Sequence, residues 1–522
     1  MKVCILAAGT GSRNTYSKIL PKGFLPINNQ PGITHLIDSL QDVEEIVIAI
    51  GSRGSIYKEF LPLLYPKTKI TFVDIENYDG PGSGPGMSLL QCSEHLDDQF
   101  ILLPTDAYVD EKINSSWEEN WMGVSKVTST RLYCLLEAGP DNKVLEIYDK
   151  NPDAPIECLE NGFNGIAFIK DVDIFFDSLE KDKSLIGGEI QVSNGFKKLL
   201  STNSGPGLLI KRIDTWHDFG SNEQYLGLIN KFENQNLIKN DEFTYIYKDV
   251  VFKYHEDKEK TKNKIKRGEL LKDFTPQILS HTDHFYTYKY VNGELLSQVY
   301  DENIFKNFFK FCKDEIFINT ELNEKEKKQF KKNCLYFYKD KTINRLEMLF
   351  EKKKFTNDSY KINGIECSPV FDLLNNIDWN NLSDGIPYKF HGDLQPENII
   401  NVEEGFKLID WRENFGESDI IGDLYYDLAK LNHGLILSGE VIRSKGFSVN
   451  FKDNEYQIDF FIKSNLFELK NMLEDFANKQ SYDLNKINIL TSLIYLNISP
   501  LYEGEYSKFL FLLGLLKLQQ LS

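Results

Sequence analysis

The sequence predicts two consecutive folds: an α/β domain on a mostly parallel sheet, then a bilobal α+β domain. Three observations carry this. Through residues 1–238, apolar strand-like runs alternate with helical runs behind a glycine-rich turn, the pattern of successive βαβ units. From residue 242 the pattern changes to short strands, a charged helix and long helix-rich stretches. Within that second part, residues 391–412 read HGDLQPENIINVEEGFKLIDWR. Glu403-Glu404-Gly405 marks a tight turn between two apolar runs, 398–402 and 406–409. The resulting hairpin returns Asp410 to Asn398.

The first strand is the continuous apolar run at residues 3–9 (VCILAAG). Ala8, Gly9 and Gly11 then form a turn whose backbone N–H groups can face a phosphate, and Arg13 and Lys22 add mobile positive charge. Residues 45–51 and 69–74 read as strands with a helical run at 56–64 between them. The loop from Asp79 to Gly86 contains Gly82 and Gly84, where backbone can approach a flat base or a phosphate. A helix follows at 87–92. Residues 99–104 form a fourth strand, with Thr105-Asp106 at its carboxyl end, where ligands bind in open α/β sheets. Asp110 reads as a solvated loop acid.

The spacing LAAGTGSR–x7–PK resembles the signature of the sugar-phosphate and phosphocholine nucleotidyltransferases, and the resemblance covers residues 1–230. It implies a Rossmann-like α/β nucleotidyltransferase domain over residues 1–238. There a nucleoside triphosphate lies on the glycine turn and a substrate phosphate attacks its α-phosphorus. Carried over by position, Ala8, Gly9, Gly11, Gly82 and Gly84 bind the nucleotide, and Lys22 and Arg13 are catalytic. Asp106 and Asp218 (in WHDFG) hold Mg2+, while Lys150, Asn164 and Glu189 face the substrate. Thr105 stands where the family usually has glycine. His217 reads as a packed neighbour.

Residues 221–232 read as a helix capped by Ser221, and the polar stretch 234–241 places the boundary near Asn240. Strands at 243–247 and 250–254 are joined by Lys248-Asp249, and residues 287–290 close a small lobe of about 239–293. The large lobe, about 294–522, is helix-rich, and its aromatic stripes (Phe305, Phe308, Phe309, Phe311, Tyr336, Phe337, Tyr338) read as core. Residues 456–521 read as amphipathic helices.

In metal-assisted phosphoryl transfer one carboxylate orients the attacking hydroxyl, while an amide oxygen and a second carboxylate hold magnesium. Asp393, Asn398 and Asp410 supply that set. The HGD motif and the later GDLYYDLAK segment resemble the choline kinase and aminoglycoside phosphotransferase families, firmly over residues 385–432. The resemblance implies an α+β, protein-kinase-like domain. In it Asp393 is catalytic, Asn398 and Asp410 bind Mg2+, and Lys253 binds nucleotide phosphates, paired by Glu269 of the charged helix. Lys266 and Arg267 read as exposed. Asp423 reads as a structural ligand of the catalytic loop. Glu413, Glu417 and Asp419 could attract a cationic amine or form a solvated loop. No activation-segment pattern follows Asn398, which argues against a protein kinase.

The chain has 522 residues and a net charge of −18, which argues against a nucleic-acid partner. Its seven cysteines lack a CxxC pair, a pattern of reduced thiols in a cytoplasm. The N-terminal apolar run is too short for a signal peptide, and no stretch approaches a membrane span. A homo-oligomer stays open.

Together these features suggest a bifunctional enzyme. The second domain would phosphorylate a small alcohol or amino alcohol with ATP. The first would join that phosphate to a nucleotidyl group, CMP from CTP fitting best, to make a precursor for surface polysaccharide. Two alternatives stand beside it: a sugar kinase joined to a sugar-1-phosphate nucleotidyltransferase, or one catalytically inactive, regulatory half.

Overall fold

A computed structural model describes residues 1–18, 20–113, 118–232, 242–352 and 355–522. By contacts the chain divides into two compact units: residues 1–258 with 280–287, and residues 259–279 with 288–522. The boundary expected near Asn240 falls among residues 233–241, outside those described.

The first unit is built on a nine-stranded sheet. Lys2–Ala7 lies at its centre, parallel to Glu45–Ile50 on one side and to Phe100–Pro104 on the other. Lys69–Asp74 extends the parallel part, and Gly162–Ile169 joins antiparallel to Phe100–Pro104. Strand order therefore reverses beside Lys2–Ala7, and the turns after Ala7 and after Pro104 open at the same edge, where α/β sheets bind ligands. Alternate side chains serve opposite layers. Val3 and Ile5 enter one core and Cys4 the other, so both faces of the strand are covered.

The hairpin Glu242–Tyr247 and Val250–His255, which the sequence places in a small lobe, packs within this first unit. Its alternation sends Phe243, Tyr245 and Tyr247 inward, into the core that holds helix Gly54–Leu64. Phe60 of that helix stacks on Phe285 at 4.2 Å and meets Phe24 at 4.8 Å. Tyr247 Oη donates to Asp38 at 2.8 Å, and Ile246 N–H donates to the Asn29 carbonyl at 2.8 Å.

In the second unit, strands Ile399–Val402 and Gly405–Leu408 form the expected hairpin, with Val402 opposite Gly405. Glu294–Leu295 adds a third strand. Helix Leu424–Ile436 is buried along its whole length beneath the loop at 391–398. Helices Ser464–Lys479 and Leu484–Ile498 pack against it, and Gly504–Gln519 packs on Leu484–Ile498. The tail departs from expectation at its start, since Glu455–Phe460 is a strand paired with Phe447–Lys452.

Arg267 corrects the sequence reading. It is fully buried rather than exposed. Its guanidinium donates to the carbonyls of Phe390 and Asp419 and lies 4.0 Å above the Phe390 ring. Helix Lys258–Leu270 is polar on every side, so hydropathy alone could not tell which charged face turns inward. Lys266 is exposed, as expected, and pairs with Asp419. No helix among the described residues is long and apolar enough to cross a membrane.

Phe60→Ala should cost the first unit about 3–5 kcal/mol, because it removes a ring from a filled aromatic layer. Urea unfolding monitored on that unit checks this, and an unchanged midpoint would contradict it.

Candidate active sites

In the first unit, Asp106, Asp218 and Lys22 converge on Gly220. A Cβ added at Gly220 would lie 2.8 Å from Asp106 Oδ2, 3.0 Å from Asp218 Oδ1 and 3.5 Å from Lys22 Nζ. The two acids, 112 positions apart in sequence, meet because Ala107–Tyr108 pairs antiparallel with His217–Asp218 and Phe219 N–H donates to the Asp106 carbonyl at 3.0 Å. Lys22 Nζ pairs with Asp106 Oδ2 at 2.9 Å. Asp218 accepts from Gly220 N–H at 2.7 Å and from Gln224 Nε2 at 3.0 Å. Burial, and then the Asp106 charge, push the Asp218 carboxyl above the ordinary aspartate range. Two carboxylates held this way fit a shared divalent cation, which would relieve their repulsion. Thr105 packs over Gly23, and its hydroxyl lies 3.0 Å from Tyr57 Oη.

Arg13, Gly9 and Thr10 lie exposed on the first turn, while Ala8 is buried and its carbonyl accepts from Ser52 N–H at 3.2 Å. The Arg13 charge acts on Tyr133, whose hydroxyl is 3.4 Å from Gln224 Nε2. Lys150 N–H donates to the Tyr133 carbonyl at 3.1 Å, which places Lys150 beside the same cluster. The loop at 79–86 is zipped to residues 188–190: Gly82 N–H donates to the Gly188 carbonyl and Ile190 N–H to the Ser83 carbonyl. Gly84 has φ +118° and a Cβ there would meet Glu189 Cβ at 2.7 Å, so glycine is required on both counts. Glu189 thereby flanks Gly82 and Gly84. Asn164 is buried, with its amide donating to Ser125 Oγ at 3.1 Å and its oxygen accepting from Ile166 N–H. His217 stacks on Tyr108, as a packed neighbour should.

In the second unit, the hairpin brings Asn398 and Asp410 together, and Ile409 N–H donates to the Asn398 carbonyl at 2.9 Å. Asn398 Nδ2 donates to the Asp393 carbonyl at 2.8 Å, which turns its Oδ1 away as a free acceptor for a cation. Asp410 has φ +58°, a bent backbone at the hairpin exit. The loop's anchor is Asp427, which the sequence reading missed. Its buried carboxylate accepts from the N–H groups of His391, Gly392 and Leu394 and from Tyr388 Oη. Asp423, expected in that role, instead caps helix Leu424–Ile436 and accepts from Tyr338 Oη and Ile386 N–H.

Asp393 pairs with Lys430 Nζ at 2.7 Å. Burial pushes its carboxyl up, but Lys430, His391 and Arg412 outweigh this and hold it down at about 2. Burial pushes the Glu413 carboxyl up, but the charges of Arg412 and of Lys264, 3.9 Å away, outweigh this and hold it below the ordinary glutamate range. Glu417 faces Lys332 at 3.7 Å, and Asp419 pairs with Lys266. The acids considered for a cationic amine are thus met by the protein's own cations. Lys253 is buried and donates to Thr244 Oγ1 at 2.9 Å, and Glu269 lies on the exposed face of its helix.

A cavity of about 110 Å³ opens beside Lys430, lined also by Lys341, Arg345, Arg412, Phe337 and Tyr426. Phe337 and Tyr338, read from sequence as core, are buried but also border this cavity. Burial, then Arg412 and Arg345, push the Lys341 ammonium down to about 6.

Residues 3–121 match the MobA-like NTP transferase domain. The first part of the chain is a nucleotidyltransferase-type domain. Its mostly parallel α/β sheet carries the Gly220 cluster. Among similar proteins, the bifunctional protein GlmU of Methanococcus vannielii is 26% identical over 236 residues, covering 44% of this chain and 55% of GlmU. The uridylyltransferase AglF of Haloferax volcanii is 28% identical over 109 residues, covering 20% of this chain and 43% of AglF. The chain spans about half the length of the GlmU proteins it matches. Among solved structures, the CTP:phosphocholine cytidylyltransferase LicC of Streptococcus pneumoniae is 18% identical with a TM-score of 0.34, over 44% of this chain and 98% of that one.

Two predictions follow from the charges. A carboxyl whose pKa is raised on folding contributes stability at low pH and loses it as pH rises through the folded value. Asp218→Asn should therefore melt higher than the parent at neutral pH without divalent cations, and gain less on adding Mg2+; thermal melts across pH test both. Asp393 is the opposite case, its stabilisation being present above the unfolded value near 4 and lost as pH falls toward about 2. Lys430→Met should raise the Asp393 pKa and shift that loss to higher pH, as read by carbon-detected NMR titration. An unmoved titration would refute the pairing.

Proposed function

We propose that the chain is a bifunctional enzyme: a small-molecule kinase in its second unit and a nucleotidyltransferase in its first. The observation that supports this reading is that a backbone hydrogen bond ties the chain at one candidate metal ligand to the chain at the other in each unit, Asp106 to Asp218 and Asn398 to Asp410.

In the second unit a hydroxyl of a small metabolite is oriented by Asp393 and attacks the γ-phosphorus of ATP. A carboxylate held near 2 is a weak base, so Asp393 chiefly aims the hydroxyl and takes its proton late, as suits a loose transition state. Asn398 and Asp410 would hold Mg2+. In the first unit the phosphate so formed attacks the α-phosphorus of CTP or another nucleoside triphosphate, and pyrophosphate leaves. Arg13 and Lys22 neutralise the triphosphate, Lys150 meets the incoming phosphate, and Gly82 and Gly84 admit the base. Asp106 and Asp218 would hold the second Mg2+. The metal at each site supplies charge neutralisation on the transferring phosphorus, and the protein supplies position.

Asp106→Asn and Asp393→Asn should each abolish one activity, by a factor of about 10²–10³ or more, and spare the other. Pyrophosphate release with each of the four nucleoside triphosphates, and ADP release with pooled alcohols, read them separately. If one substitution leaves both rates intact, that half is regulatory and the bifunctional reading fails.

A further inference from the structure

The cavity bordered by Lys430, the partner of Asp393, has the wrong charge for a choline-like acceptor. Lys341, Arg345, Arg412 and Lys430 all line it. Lys430 is committed to Asp393 at 2.7 Å. The other three have no carboxylate within 4.0 Å among the described residues, although Glu413 acts on Lys341 and Arg412 from further away. Arg412 Nε is buried with no hydrogen-bond partner among those residues. Lys341 and Arg345 stand four apart on helix Lys341–Glu351, an arrangement that costs helix stability for like charges. Arg412 and Lys341 both lie against the Phe337 ring, at 4.9 and 4.3 Å, which fixes two of the cations in direction. Four basic side chains lining one cavity, three of them without a carboxylate in salt-bridge contact among the described residues, mark a place for an anion in a chain of net charge −18.

Resting on the kinase reading of the second unit, we propose that the alcohol phosphorylated at Asp393 is itself an anion. Its carboxylate or phosphate group is bound by Lys341, Arg345 and Arg412. Lys430 links the two functions, since one ammonium borders the cavity and touches the carboxylate that orients the hydroxyl. The acceptor is therefore compact, with its hydroxyl a few bonds from its charge. The hydroxyl oxygen forms a bond to the γ-phosphorus of a nucleoside triphosphate as the bond to the bridging β–γ oxygen breaks. The hydroxyl proton passes through Asp393 to solvent, and the nucleoside diphosphate leaves. The product carries two anionic groups, and the newly formed phosphate becomes the nucleophile for nucleotidyl transfer.

The test compares glycerate, glycerol 3-phosphate, glycerol and choline as acceptors, with Mg-ATP and the full-length protein. The account predicts that one of the two anions exceeds glycerol and choline in kcat/KM by at least about tenfold, the scale of one charge-assisted hydrogen bond. Which anion leads tells carboxylate from phosphate. Arg345→Gln and Lys341→Met should each raise KM for that anion by about tenfold or more, with KM for ATP little changed. Thermal stabilisation by the anion without ATP, lost in both variants, gives a readout independent of turnover. Preference for choline or glycerol, or variants that raise KM for ATP alone, would overturn the anionic acceptor while leaving the kinase standing. Absence of ADP formation with every acceptor, alongside anion stabilisation lost in the variants, would instead refute the kinase reading and keep the anion site.

Discussion

In each unit of the chain one backbone hydrogen bond ties together the two positions proposed to bind a cation. Phe219 N–H to the Asp106 carbonyl, at 3.0 Å, locks the residue after Asp218 to the other acid. Ile409 N–H to the Asn398 carbonyl, at 2.9 Å, locks the residue before Asp410 to the amide. Side-chain torsions alone would leave such pairs free to separate, which the like charges of Asp106 and Asp218 favour. A main-chain bond inside a strand pair or hairpin removes that freedom before any ligand arrives, and preorganisation is what electrostatic catalysis of phosphorus chemistry requires.

The charge balance around these clamps differs between the units. At Gly220 two carboxylates meet one lysine, and burial, then the surplus negative charge, raises Asp218. In the cavity bordered by Lys430 the surplus is positive, and burial, then the neighbouring arginines, depresses Lys341. A site short of cations calls for a metal, and a pocket short of anions calls for an acidic ligand. The buried carboxylate of Asp427 belongs to neither class. Its partners are backbone N–H groups and the Tyr388 hydroxyl, and it shapes the loop that presents Asp393.

Short-range chemistry was legible in the sequence. The strand–glycine turn, the hairpin from Asn398 to Asp410 and the Ser221 cap all depend on residues within about one supersecondary unit, and they stand where expected. The pairing of Asp106 with Asp218 came from resemblance alone, since no spacing rule connects residues so far apart. The residues that were missed act across the fold. Asp427 reaches back to His391, and Lys341 and Arg345 meet Arg412 only after helix Lys341–Glu351 docks. Arg267 escaped because the helix that carries it is charged all round, leaving no apolar stripe to mark the inward face. The hairpin at 242–255 was predicted as strands, but its alternating aromatics pack into the first unit, a choice set by Phe60 and Phe285 rather than by local propensity.

The most direct measurement is the fate of the γ-phosphate. ATP labelled with 18O in its γ-phosphoryl group is incubated with the protein, Mg2+, a second nucleoside triphosphate and the preferred acceptor, and products are resolved by mass spectrometry. The account predicts label in the distal phosphorus of a nucleoside diphosphate-linked product, with unlabelled pyrophosphate released. Label confined to inorganic phosphate, or a nucleotidyl product that carries none, would contradict the claim that one site makes the substrate of the other.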